Sequence, residues 1–133
     1  NGIIVTKTRT YTGAASLGAA GTTALFTVTG DILVNVFAMC TSELTVTGAA
    51  TIEIGITGNT AAIVALTTAS TIDSGHIWLD ASPATVETVL SAKILNGGTD
   101  INEKVTTADI NGGVLTFYCA WTPLSSDGDV VAA

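Results

Sequence analysis

Apolar and polar residues alternate with a period of two along much of this 133-residue chain. In TIEIGIT, residues 51–57, the side chains of Ile52, Ile54 and Ile56 fall on one side of an extended backbone, and those of threonine, glutamate and glycine fall on the other. Successive side chains of a β-strand point to opposite faces of its sheet. The pattern therefore predicts a strand that is buried on one face.

Runs of similar character recur along the chain and are separated by Thr-Gly and Asn-Gly sequences. The candidate strands are 24–29, 31–40, 43–47, 51–57, 61–68, 76–80, 92–97, 100–107 and 113–121. Glycine and asparagine accept the positive φ that tight turns require, and turn signals at this spacing are typical of sandwiches and barrels. We predict an all-β fold, an antiparallel β-sandwich of jelly-roll-like form with about eight strands. At most one short helix is expected, after Pro83 in residues 82–90.

The predicted organisation is one domain with extensions at both ends. Residues 1–23 are expected to form an N-terminal strand and arm, residues 24–123 the sandwich, and residues 124–133 a C-terminal tail. Residues 12–24, TGAASLGAAGTTA, are low in complexity and predict a loop or an arm that orders against a neighbouring copy.

The densest aromatic stretch lies close to the C-terminus, in GVLTFYCAW at 113–121. Alternation places Phe117, Cys119 and Trp121 on one face and Tyr118 on the other. We expect this strand to lie at the centre of a sheet, with Pro123 ending its hydrogen-bond ladder. The Tyr118 face is expected to pack within the subunit or to meet another one.

Charged residues are scarce, at 11% of the chain, whereas 47% of residues belong to the hydrophobic set. A typical domain has about 25% charged residues, so this surface has to expose aliphatic and small side chains. Large exposed apolar patches usually mark contact sites. We therefore expect copies of the chain, or a partner, to cover part of the surface.

The net charge of −7 argues against two classes of partner. Nucleic acids and anionic lipid surfaces both require clustered lysine and arginine, and the basic residues here are Lys7, Arg9, Lys93 and Lys104 only. The chain contains no run of 18 apolar residues, so no membrane helix is predicted. Neither nucleic acid nor membrane is expected as a partner.

The two cysteines, Cys40 and Cys119, lie in apolar stretches and outside any Cys-x-x-Cys pair. The first interpretation is two buried thiols that pack as small hydrophobic groups. The alternative is one disulfide between two strands, which would indicate an oxidising compartment.

The single histidine, His76, lies in IDSGHIWLD between Asp73 and Asp80. A metal site needs three or four ligands in tight geometry, which this spacing does not indicate. As a catalytic base, His76 would need a nucleophile such as Ser74, Ser82 or Cys119, but no nucleophile elbow of the G-x-S-x-G type is present.

Acidic residues offer two further candidates. A glycosidase pair would have to come from Glu53, Glu87 and Glu103, and each lies in a pattern where an outward-pointing carboxylate is routine. The segment SSDGD at 125–129 has an acidic, glycine-containing composition but lacks the alternating ligands and closing glutamate of a calcium loop. We expect no catalytic, cofactor-binding or metal-binding residues, no cofactor and no enzymatic activity.

The segments FTVTGD, IWLDASP and FYCAWTPLSSDG, within residues 24–130, resemble a group of small proteins encoded by tailed bacteriophages and prophages. The resemblance covers most of the chain and implies a structural component of the virion, which assembles in the host cytoplasm. Small, acidic, threonine-rich β-proteins of this group look like capsid decoration, or cement, proteins. The resemblance implies a homo-oligomer, most commonly a trimer, on the major capsid protein.

Two other functions remain open at this point. The first is a component of the phage tail or baseplate. The second is a carbohydrate-binding β-sandwich module, for which Trp78 is the one plausible platform for a sugar ring.

Overall fold

The computed structural model describes residues 3–133 and consists of two antiparallel five-stranded sheets packed face to face. The predicted all-β sandwich is confirmed. Its ten strands are β1 Ile3–Thr10, β2 Gly21–Thr29, β3 Ile32–Val46, β4 Thr51–Ile56, β5 Asn59–Thr68, β6 Ile77–Trp78, β7 Lys93–Leu95, β8 Ile101–Thr106, β9 Ile110–Pro123 and β10 Asp129–Ala132.

The strand order is that of a jelly roll. The first sheet has the order β1-β9-β3-β6, with β7 also paired to β3, and the second has the order β10-β2-β8-β4-β5. Four antiparallel pairs, β1–β9, β2–β8, β3–β6 and β4–β5, account for eight strands, which is the double Greek-key arrangement. The short strands β7 and β10 are additions to this framework.

The helix expected in residues 82–90 does not form. Ile77 and Ala84 exchange two backbone hydrogen bonds, and the chain then continues without regular structure as far as Lys93. The segment has four β-branched residues in TVETV, which favour extended backbone over helix. In the described chain, the one helix is a single 3₁₀ turn at Ala69–Thr71.

The two longest strands, β3 and β9, form the centre of the first sheet and pair along most of their length. Two predicted boundaries inside them were wrong. The break between the predicted strands 31–40 and 43–47 is a bulge within β3, and the Asn-Gly-Gly sequence at 111–113, one of the predicted separators between strands, lies inside β9. Gly113 has a φ of +101°, and a Cβ there would lie 2.5 Å from the Glu43 carbonyl oxygen. The glycine therefore lets β9 approach β3 closely at an irregular point of the sheet, and no hairpin forms there.

The core lies between the sheets and includes the aromatic residues of the C-terminal stretch. Phe117 and Trp78 are fully buried and meet edge to face, with ring centroids 6.5 Å apart. The indole N–H of Trp78 donates to Thr67 Oγ1 at 2.7 Å, so its polar group is satisfied. As predicted, Phe117, Cys119 and Trp121 point inward from a central strand.

The terminal segments belong to the sandwich and are not free extensions. Residues 3–10 pair with β9, and residues 129–132 pair with β2. The expected loop at 12–24 is shorter than predicted, because β2 begins at Gly21. Its turn is closed within the subunit by backbone hydrogen bonds from Thr12 and Gly13 to the Leu17 carbonyl.

Candidate interaction surface

On the side of the first sheet that faces away from the core, the paired positions of β1, β6, β7, β9 and the 33–39 part of β3 carry no charged side chain; the exposed Glu43 lies beyond the bulge of β3. We call this side the outer face. Strand register and alternation assign to it Ile4, Thr6, Thr8, Thr10, Leu33, Asn35, Phe37, Met39, Ile77, Ile94, Val114, Thr116, Tyr118, Ala120 and Thr122. In a chain with a net charge of −7, a whole sheet face of aliphatic, aromatic and threonine side chains is a distinctive surface.

Two aromatic rings lie near the middle of the outer face. Phe37 and Tyr118 are directly opposed on β3 and β9, and their rings stack with centroids 5.1 Å apart and an interplanar angle of 13°. Around them lie the exposed side chains of Ile4, Met39 and Ile94, which keep 64%, 39% and 69% of their surface in solvent. An exposed apolar patch of this kind is typical of a protein–protein contact site.

The corresponding face of the second sheet is different in character. Glu53 of β4 lies directly opposite Lys104 of β8, so two charges of opposite sign face each other there. The hydroxyls of Thr51 and Thr106 hydrogen-bond across the same strands at 2.5 Å. This face therefore carries charged side chains as well as paired threonine hydroxyls.

An irregular segment, residues 85–92, runs beside the outer face between β6 and β7. Val86, Val89 and Leu90 are 72%, 70% and 47% exposed. A cavity of about 350 Å³ separates the segment from the sandwich and is lined by Val36, Ala62, Leu79, Val89, Leu90 and Lys93, among others. A second cavity, of about 220 Å³, lies between the segment and Phe37. The segment is therefore loosely packed against its own subunit.

A buried charged cluster joins the two sheets on the core side of β1. The Arg9 side chain on β1 lies with Nε 2.9 Å from Glu103 Oε1 on β8. Its terminal nitrogens donate to the carbonyl oxygens of Ser16 at 2.6 Å and Ala24 at 3.3 Å. The Tyr11 hydroxyl donates to the Glu103 carboxylate, with oxygens 3.0 and 3.2 Å away. Arg9, Tyr11 and Glu103 are 5%, 2% and 1% exposed.

Burial decides the protonation of this cluster. Desolvation raises the pKa of Glu103 to about 7, although the Arg9 charge and the Tyr11 hydrogen bond act in the opposite direction. Burial and the neighbouring Glu103 carboxylate raise the pKa of Tyr11 well above its ordinary value. In this pocket the loss of hydration disfavours the charged forms more than the neighbouring charge and hydrogen bonds favour them.

We expect the free energy of unfolding to depend on the protonation of Glu103. A carboxyl whose pKa is higher in the folded than in the unfolded chain stabilises the fold at low pH, and this contribution is lost as the pH rises from about 4.5 to about 7. The carboxyl carbon of Glu103, followed by ¹³C NMR, should titrate near pH 7. Urea unfolding should show the native chain losing stability over that interval relative to Glu103→Gln. A midpoint below pH 4.5 would show that the Arg9 charge outweighs burial.

His76 and Ser74 line a cavity of about 370 Å³ beside Tyr118, but in the described chain no hydrogen bond joins the imidazole to a serine, cysteine or aspartate side chain. Nδ1 of His76 lies 3.2 Å from the backbone nitrogen of Asp73, which donates to it. The Asp80 carboxylate accepts from the backbone N–H of Ser82 at 2.8 Å, and the Ser74 hydroxyl donates to the Thr41 carbonyl. The His76 and Asp80 groups serve local turns, and the Ser74 hydroxyl joins its turn to β3.

The three glutamates are also held apart. Glu53 and Glu103 occupy positions on β4 and β8 that point to opposite faces, since Glu53 pairs with Lys104 and Glu103 with Ile54. The expectation that their carboxylates point outward into solvent was wrong, because both side chains are buried. Glu103 shares the inward phase of Ile101 and Val105 in the pattern INEKV, which is the signal that identifies it.

The segment SSDGD at 125–129 forms a turn before β10. The Ser125 hydroxyl donates to Asp127 at 2.6 Å and accepts from the backbone N–H of Asp31 at 2.9 Å. Residues 3–133 contain no group of three or more histidine, cysteine, aspartate or glutamate side chains placed to hold a metal ion.

The cysteines are free and buried. Cys40 lies opposite Leu115 and Cys119 opposite Val36, so they occupy separate rows of the first sheet. Burial raises the pKa of the Cys119 thiol to about 12 and also raises that of Cys40, which makes both poor nucleophiles. The interpretation as two packed thiols is confirmed.

The platform proposed for a sugar ring is not available, because Trp78 is fully buried against the core. In the described part of the chain, no helix has the length and hydropathy to cross a membrane. Comparison of the chain with known protein families, curated proteins and solved structures finds no match.

Proposed function

We propose that this protein is a structural component of a tailed-phage virion, a capsid decoration protein that stabilises the head shell through contacts between subunits. The observation that carries the proposal is the uncharged outer face, with the Phe37–Tyr118 stack near its centre and exposed Ile4, Met39 and Ile94 around it. Burying such a face costs little in polar desolvation and removes apolar area from water. Its partners are other copies of the chain, in a homotrimer, and the major capsid protein.

The remaining features support a structural role over a catalytic one. Jelly rolls are common in viral capsid proteins, although they also occur in lectins and other classes, so the fold supports the proposal only by analogy. Scarce lysine and arginine suit a protein placed on a shell without binding the packaged nucleic acid. The resemblance of FTVTGD, IWLDASP and FYCAWTPLSSDG to proteins of tailed phages also supports a structural role in a virion.

The proposal is tested by locating the protein in intact particles. Antibody labelling, or density at a resolution that shows the sheets, should place it on the outer surface of the head, and it should copurify with heads that lack tails. Labelling confined to the tail or baseplate would move the structural role there. Absence from particles of any kind would contradict a virion role.

A further inference from the structure

Strand β1 has one edge without a partner, since it stands at the end of the strand order and pairs with β9 alone among the described strands. Tyr11 N–H donates to the Gly113 carbonyl at 2.9 Å, which shows that odd-numbered residues of this strand face β9. By alternation, the backbone N–H and C=O groups of Ile4, Thr6, Thr8 and Thr10 face outward along the free edge. An edge of this length is a template for pairing with another chain.

The same subunit also contains an irregular segment whose backbone groups have no backbone partner in the described part of the subunit. Residues 85–92 make no backbone–backbone hydrogen bond with any residue from 3 to 133. Their sequence, TVETVLSA, is rich in β-branched residues, and Val86, Val89 and Leu90 project into solvent. Eight residues match the eight-residue length of β1. The segment and the free edge of β1 therefore both present backbone N–H and C=O groups that have no partner among the described residues of the subunit.

We propose that residues 85–92 of one copy add as an extra strand to the free edge of β1 in a neighbouring copy. This inference rests on the self-assembly in the proposed function and identifies the contact that produces it. Backbone hydrogen bonds to Ile4, Thr6, Thr8 and Thr10 would supply affinity, as they do when peptides extend a sheet. The valine and leucine side chains of the segment would be covered at the same time.

The two partners lie on opposite sides of the first sheet. β1 is at one end of the strand order, and residues 85–92 connect β6 to β7 at the other. The contact is therefore head-to-tail, and a ring forms when the rotation between successive copies closes. A rotation of 120° between successive copies gives a closed trimer. When the outer face of each copy is directed towards the three-fold axis, the three uncharged faces meet around it. The inference thus connects the free edge, the unbonded segment and the uncharged face in one assembly.

Site-directed cross-linking tests the contact. Thr8→Cys is mixed in equal amounts with Thr85→Cys, Thr88→Cys or Ser91→Cys, and each mixture is exposed to a mild oxidant. At least one mixture should give a disulfide-linked species of about twice the 13.3 kDa chain mass. Each variant alone should give little of it, because a head-to-tail contact brings together two different positions. The native chain is the matched control, since Cys40 and Cys119 are buried.

Light scattering on the same samples separates this inference from the proposed function. Oligomers without any cross-link between position 8 and positions 85–91 would overturn the strand addition and leave self-assembly standing. Efficient cross-linking of Thr8→Cys alone would also overturn it, because β1 would then pair with β1. A monomer under all conditions, with no cross-link, would contradict both.

Discussion

At pH 8, where Glu103 is ionised, Glu103→Leu is expected to lower the free energy of unfolding by about 3–5 kcal/mol, the range seen when one partner of a buried ion pair is removed. Without the carboxylate, the Arg9 guanidinium stays charged in a pocket where the side chain is 5% exposed, with only the Ser16 and Ala24 carbonyl groups to bind. An arginine does not release its proton in proteins, so it cannot escape the penalty by neutralising. Total stabilities of about 5–15 kcal/mol make this loss large.

Arg9→Met should cost less at acidic pH than at alkaline pH. Removing the positive charge takes away a group that lowers the pKa of Glu103, so the carboxyl takes up a proton more readily and avoids being buried as an anion. The two single variants therefore differ in stability because Glu103 can be neutralised by taking up a proton when it is left alone, whereas Arg9 cannot be neutralised by losing one.

The double variant Arg9→Met/Glu103→Leu provides the control. With both charges gone, no unpaired ion is buried, and the free energy of unfolding should recover most of the loss seen in Glu103→Leu. Urea unfolding followed by circular dichroism at pH 5 and pH 8 measures all four chains. If all three variants were as stable as the native chain at both pH values, the cluster would have no role in joining β1 to the second sheet.

Met39→Asp is expected to weaken self-association by at least about 100-fold, which corresponds to about 2.7 kcal/mol. Met39 is 39% exposed on the outer face, opposite Ile77 and Thr116, and no basic side chain lies on that face to pair with a new carboxylate. In a closed trimer the change introduces three like charges into an apolar contact, which combines desolvation with repulsion.

Leu66→Asp is the matched control for this change. Leu66 is 51% exposed but lies on β5, at an edge of the second sheet. Sedimentation equilibrium should give the control a native-like association constant and leave Met39→Asp monomeric at micromolar concentration, with both chains folded by circular dichroism. Equal weakening of the two would mean that the outer face is not the contact.

Most of the strands could be predicted because their alternation is local. Ile52, Ile54 and Phe117 lie on the faces assigned from the sequence, and β9 lies at the centre of its sheet as its apolar character indicates. The jelly-roll form was also expected in outline. Its strand order pairs residues as distant as Thr6 and Tyr118, and no local pattern specifies which distant strands meet.

The features that were missed depend on tertiary contacts. Arg9 and Glu103 lie on different sheets, and their meeting is visible only when β1 and β8 are placed. The pattern around Pro83 suggested a helix, but residues 85–92 form no regular structure and make no backbone hydrogen bond to a described strand of their own subunit. The outer face was foreseen in part, through Tyr118, but the absence of charge at its paired positions required the register of β1, β3, β6, β7 and β9.

If copies of this chain contact one another through the uncharged outer face, the native chain should associate in solution. The most direct measurement is the mass of the native chain by light scattering across micromolar concentrations, with and without purified head shells. The native chain should form a species of about three times the 13.3 kDa chain mass, which the Met39→Asp variant fails to form. A native chain that stays at 13.3 kDa in solution and leaves the shells unbound would contradict that contact.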